Sequence, residues 1–121
     1  MNYKMNPDEL KDRTKKFALS IIKLANSLPK SSVGRIIETQ LIKAGTSVGA
    51  NYRAACRAKS NADFIYKINV VEEEADETQF WLELIIEAGL LKESDVDSIL
   101  KEAKELTAIF TSAGKTAKSK R

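Results

Sequence analysis

The stretch from Gly45 to Leu91, GTSVGANYRAACRAKSNADFIYKINVVEEEADETQFWLELIIEAGLL, decides the fold. Within it Phe64, Ile68, Val71, Ala75, Thr78, Leu82 and Ile85 recur at alternating steps of four and three. That rhythm keeps one apolar stripe on one side of a helix. A stripe of this kind has to be covered by others, and the chain supplies three. Leu10, Thr14, Phe17, Ile21, Leu24 and Leu28 form one upstream, and Ile37, Leu41, Ala44, Val48, Asn51, Ala55 and Ala58 form a second. Val96, Ile99, Ala103, Leu106 and Phe110 form the last. No segment alternates apolar and polar residues long enough to argue a strand, so the chain reads as all-α.

Local signals place the ends. Asn6 before Pro7 is an N-cap with proline at the first helical position, and Asp8 and Glu9 suit the positive end of the dipole. Pro29 disfavours helix in the residue before it. Ser31 or Ser32, then Ser60 or Asn61, can cap the next two helices; Gly89 can close the third, and Ser94 with Asp97 can open the fourth. The predicted helices run over about 7–28, 32–58, 61–89 and 95–113. Short connections make consecutive helices antiparallel neighbours, an up-down-up-down four-helix bundle. Residues 1–113 form one domain, and the last eight residues, GKTAKSKR at 114–121, read as a flexible basic tail.

Composition excludes much chemistry. The 121 residues contain no histidine, which removes histidine acid–base catalysis and the Glu-x-x-His ligation of di-iron bundles. There is no GxxxxGK[ST], GxGxxG or CxxC motif. The expectation is no enzyme, no cofactor and no bound metal. A carboxylate-only cation site would need Glu72 with Asp76, or Glu73 with Glu77, and facing oxygens that the other helices do not obviously supply. The more ordinary reading pairs these acids with Arg53, Arg57, Lys59 and Lys67 across the contact of the second and third helices. The single Cys56 makes no internal disulfide and reads as a small packing residue. No run is apolar enough to span a bilayer and the N-terminus lacks a signal-peptide pattern, which predicts a cytoplasmic protein.

Charge is segregated along the chain although its net value is only +3. Residues 1–67 hold 13 Lys or Arg against 5 Asp or Glu, and residues 68–114 hold 3 against 12. Two readings follow: pairing within and between subunits, or a basic surface that docks phosphates. The candidate phosphate-binding residues are Lys11, Lys15, Lys16, Lys23, Arg35, Lys43, Arg53 and Arg57, with Lys115, Lys118, Lys120 and Arg121 in the tail. Four other positions read as helix contacts. Gly45 and Gly49 leave a face on which a neighbouring backbone can approach closely. Asn51, on the apolar stripe, needs a hydrogen-bond partner, for which Glu74 of the third helix is the candidate.

Several elements of the opening stretch and its approach then resemble a known family. Gln40-Leu41, Ser47-Val48 through Asn51, Arg57, Ser60, Asp63-Phe64, Glu74 through Thr78 and Trp81 through Leu84 are similar to the four-helix-bundle proteins encoded in intervening sequences of bacterial 23S rRNA genes. The chain departs from that pattern where an acid is usual shortly after the Asn: Ala54, Ala55 and Cys56 stand there instead. The resemblance implies a homo-oligomer, typically a pentameric ring. It also implies a relation to the accessory subunit of diversity-generating retroelements, which binds nucleic acid and a reverse transcriptase through a basic ring. Two functions follow as expectations: a non-enzymatic oligomeric scaffold that binds RNA or DNA nonspecifically, or an assembly protein whose partner is a reverse transcriptase or another protein.

Overall fold

Four helices account for almost all of residues 6–120, the part of the chain described by the computed structural model. They are α1 (Pro7–Asn26), α2 (Ser32–Ala55), α3 (Asn61–Glu87) and α4 (Glu93–Ser119). No strand occurs among the described residues. Each helix packs against the next, and α4 returns to α1 more loosely, which closes a four-helix bundle. The chain directions follow from paired positions. Gly45 meets Ile21 and Gly49 meets Thr14, so α2 runs back along α1. Asn61 bonds the carbonyl of Ala117 while Gln79 bonds Thr107, so α4 runs back along α3.

The caps form where short polar side chains can satisfy free N–H groups. Asn6 accepts from the Glu9 N–H at 2.8 Å, Ser31 from Gly34 at 3.1 Å and Ser60 from Asp63 at 3.1 Å. Gly89, at φ +70°, ends α3 in a Schellman arrangement, with Leu90 N–H to Ile85 O and Gly89 N–H to Ile86 O both at 3.0 Å. Ser94 does not cap α4. Lys92 takes the extended cap conformation one residue before Glu93, and Ser94 lies inside the first turn.

Four further expectations are corrected. On α2 the buried position after Val48 is Tyr52, four residues on, while Asn51 is half-buried. The ring of Tyr52 lies 5.3 Å from that of Phe110 on α4 and so bridges the core. Asn51 donates to the carbonyl of Ser47 at 2.8 Å, one turn back on its own helix, and so does not depend on Glu74. The α2 helix also stops at Ala55, before the expected residue 58. Finally, α4 passes straight through Gly114 to Ser119, so residues 114–119 are helix and not a loose tail. Glycine costs about 1 kcal/mol in a helix interior. Here the last turns still gain burial of Ala117 and the Asn61 side-chain bond to the Ala117 carbonyl at 3.1 Å. Residues 1–5 of the expected domain, and Arg121, lie outside the described residues.

Two threonines sit fully inside the core, each satisfied by its own helix: Thr14 donates to Leu10 O at 2.8 Å and Thr78 to Glu74 O at 2.7 Å. Gly34 has a separate reason to be glycine. A Cβ there would stand 1.9 Å from the carbonyl oxygen of Pro29, so the α1–α2 connection can fold back over the start of α2 only where no side chain stands.

Candidate nucleic-acid interface

The close approach of α1 and α2 creates the site. Gly45 lets Ile21 pack where a Cβ would lie 2.7 Å from its Cγ2, and a Cβ on Gly49 would lie 3.3 Å from the Thr14 carbonyl oxygen. Side chains beside this contact are forced outward. Lys11 and Lys15, one turn apart on α1, face Arg53 on α2 across a groove of about 480 Å³ floored by Gly49 and Ala50. A recess of about 410 Å³ continues it past Lys11 and Arg53 to Arg57 in the turn after α2. Among the described residues one carboxylate borders the groove, Asp12, and it is bound by Lys16 at 2.9 Å. Among the described residues no carboxylate lies within 4.0 Å of the Lys11, Lys15, Arg53 or Arg57 charge.

The remaining sequence candidates are dispersed. Lys16 turns to the α1–α4 side, where it lines a different hollow with Arg13 and Glu102. Lys23 is exposed in the last turn of α1, and Arg35 is exposed in the first turns of α2. Lys43 lies on the α2–α3 side, close enough to Glu74 to oppose the rise in that acid's pKa. Lys115, Lys118 and Lys120 are exposed on the last turns of α4, and Lys120 borders an apolar recess of about 380 Å³ with Leu10, Tyr52 and Asn61. That recess gathers the start of α1, the end of α2, the start of α3 and the end of α4. Lys11, Arg53, Arg57 and the α4 lysines therefore belong to one end of the bundle.

The expected pairing of α2 cations with α3 acids does not form among the described residues. Lys67 binds Asp63 on its own helix at 2.7 Å, and Glu72 accepts a hydrogen bond from Thr111 of α4. Asp63 is held below the usual carboxylate range by Lys67 first and by the Lys59 N–H second. Burial pushes the Tyr52 phenol up, helped by a hydrogen bond with Cys56, so this hydroxyl stays neutral. Among the described residues no three acids or cysteines converge on a metal position, and no helix is long and apolar enough to cross a membrane.

Sequence reading missed Arg13. Its guanidinium grips Glu102 of α4 with two bonds, Nε to Oε2 at 2.7 Å and Nη2 to Oε1 at 2.6 Å, and reaches Glu105 at 3.2 Å. The partners stand 89 and 92 residues apart, so no local pattern announces them.

Residues 9–112 match the family described as 23S rRNA-intervening sequence protein. The chain belongs to that family. A solved structure similar to this chain has the same bundle: a protein with unknown function from the S23 ribosomal protein family of Bacteroides thetaiotaomicron, its crystal structure determined at 1.70 Å. It is 36% identical, superposes with a TM-score of 0.81, and the match covers 87% of this chain and 97% of that one. No curated protein matches this intervening-sequence protein.

Proposed function

We propose that the protein is a non-enzymatic, homo-oligomeric scaffold of the cytoplasm that holds RNA or DNA by its phosphates. The observation that carries this reading is the α1–α2 groove, where Lys11, Lys15, Arg53 and Arg57 converge with no carboxylate in ion-pair range among the described residues. Four unneutralised cations lining one channel repel each other and persist at little gain to the fold. They attract a polyanion whose counterions are released on contact.

Self-association is supported by a separate surface. Lys43 and Glu74 face each other across α2 and α3. Seven residues, about two turns, along these oppositely running helices set Ile36 opposite Trp81. Ile36 is 63% exposed, and Phe80, packed edge-on against Trp81 with centroids 5.0 Å apart, is 54% exposed. Val33 lies one turn before Ile36 and is also exposed. An apolar patch rimmed by Lys43 on α2 and Glu73, Glu77 and Glu83 on α3 carries both signs of charge, which suits docking against other copies.

The test is a gel-shift titration with mixed-sequence RNA and DNA, run beside light-scattering mass. Wild type should bind at about 50 mM salt and lose affinity steeply by about 200 mM. Replacing Lys11, Lys15, Arg53 and Arg57 together by Glu should abolish the shift and keep the mass. Ile36→Glu with Phe80→Glu should lower the mass. A shift that survives the fourfold reversal overturns the groove. If wild type binds no nucleic acid yet stays oligomeric, the adaptor reading with a protein partner takes its place.

A further inference from the structure

The proposed groove also carries information about the form of nucleic acid it fits. Resting on the reading above, we infer that it takes the outer backbone of a double helix, read without regard to sequence, in preference to a single strand.

Among the described residues the groove has no aromatic face on which a base could stack. Proteins that bind single strands rely on aromatic side chains against which bases stack, at about 1–3 kcal/mol per base. Among the described residues no aromatic side chain lines either part of this channel. Tyr52, next to Arg53 in sequence, is turned into the core against Phe110. Among the described residues the exposed aromatics, Tyr66 and Phe80, belong to α3, which does not border the groove.

Apart from the four cations, the described lining offers base edges no free hydrogen-bonding side chain. The one hydroxyl in the described lining, that of Thr46, donates to the Ile42 carbonyl at 2.7 Å within its own helix. The one carboxylate, Asp12, is bound by Lys16. What remains are four cations over a floor of Gly49 and Ala50, low enough for a phosphate ridge to settle between Lys11 and Arg53.

A site of this composition gains affinity from charge density alone. A duplex carries one phosphate per about 1.7 Å of axis and keeps its bases stacked within itself. A single strand offers sparser charge, and its ordering cost is not offset by stacking on the protein. The same logic removes sequence preference, since phosphate contacts position a nucleic acid but do not specify it.

The experiment is a competition titration with the full chain at fixed low salt. A labelled duplex of about 24 base pairs is displaced by unlabelled duplex or by either separated strand, with two unrelated sequences. Duplex should compete at tenfold or more lower concentration than the strands, with the two sequences within about twofold. Lys11→Glu with Arg53→Glu, or the milder Lys11→Ala with Arg53→Ala if the reversal impairs folding, should weaken the duplex at least tenfold. Single strands that compete equally or better, and lose that ability in the variants, overturn the duplex preference and leave the groove as the site. Duplex binding unchanged in both variants overturns the groove itself, as does an absence of binding by either form.

Discussion

Helix α1 carries cations on two flanks that are used in opposite ways. On the α4 flank Arg13 is locked to Glu102 and Glu105, and that pairing bridges the loosest contact of the bundle. On the α2 flank the helices are held by shape, through Gly45 and Gly49, and Lys11 and Lys15 are left without a carboxylate partner among the described residues. Where packing is close the charges are available for other work. Where packing is loose a charge is used to close the gap. The hydrogen bonds to Glu102 and Glu105 raise the Arg13 pKa still further, whereas the groove cations stand over small residues.

The comparison breaks most visibly if the close seam does not depend on its glycine. A Cβ at position 45 would stand 2.7, 2.8 and 3.0 Å from Cγ2, Cγ1 and Cβ of Ile21, a fully buried side chain whose Cβ cannot swing away. Overpacking of that kind costs about 1–3 kcal/mol, and the better helix propensity of alanine returns at most about 1. Gly45→Ala should therefore destabilise by about 1–2 kcal/mol in urea unfolding. Gly49→Ala should change stability much less, because its Cβ would meet the Thr14 oxygens at 3.3 Å. Equal effects at the two positions would mean that the seam is not held by fit at Gly45.

A smaller effect is expected on the other flank. Arg13→Ala removes a two-bonded guanidinium–carboxylate contact that is partly shielded from water. Charge-assisted forks exceed ordinary surface pairs, yet solvent still screens this one, so the loss should be about 1 kcal/mol. The thermal melt should show it most clearly at low salt, and Arg13→Lys should recover only part of it, because an ammonium cannot make the fork. A melting temperature unchanged at low salt would remove the clasp from the comparison.

The two flanks also differ in how far they could be read from the chain. Apolar stripes on α1 and α3 were legible because heptad spacing is a local property: every α1 stripe residue is buried, and on α3 only Phe64 is less than fully so. Caps at Asn6, Ser31 and Ser60 were legible because the side chain reaches an N–H three residues ahead. What failed was decided across distance. Gly114 reads as a stop until Ala117 finds its place in the core and Asn61 its carbonyl, and Arg13 reads as one more surface cation until Glu102 is brought to it. The groove falls between these cases. Its four cations were all among the twelve candidates, but their separation from Lys16, Lys23 and Lys43 depends on which edge of each helix faces the other. The side on which Gly45 and Gly49 lie was the available clue.

The third flank, between α2 and α3, supplies the most delicate test of how charges are placed. Burial raises the pKa of Glu74, Glu77 adds to the rise, and Lys43 opposes it without cancelling it. The folded state therefore holds the Glu74 proton more tightly than the unfolded chain does. Ionised Glu74 then counts against folding at neutral pH, and that penalty disappears as pH falls through its folded pKa and below the ordinary glutamate value of about 4.3. Glu74→Gln keeps the shape and removes the charge. Its melting temperature should rise slightly at pH 7 and converge on that of the wild type in acid. A variant less stable at pH 7 would show that attraction to Lys43 outweighs burial, and would make this flank a paired one like the Arg13 side of α1.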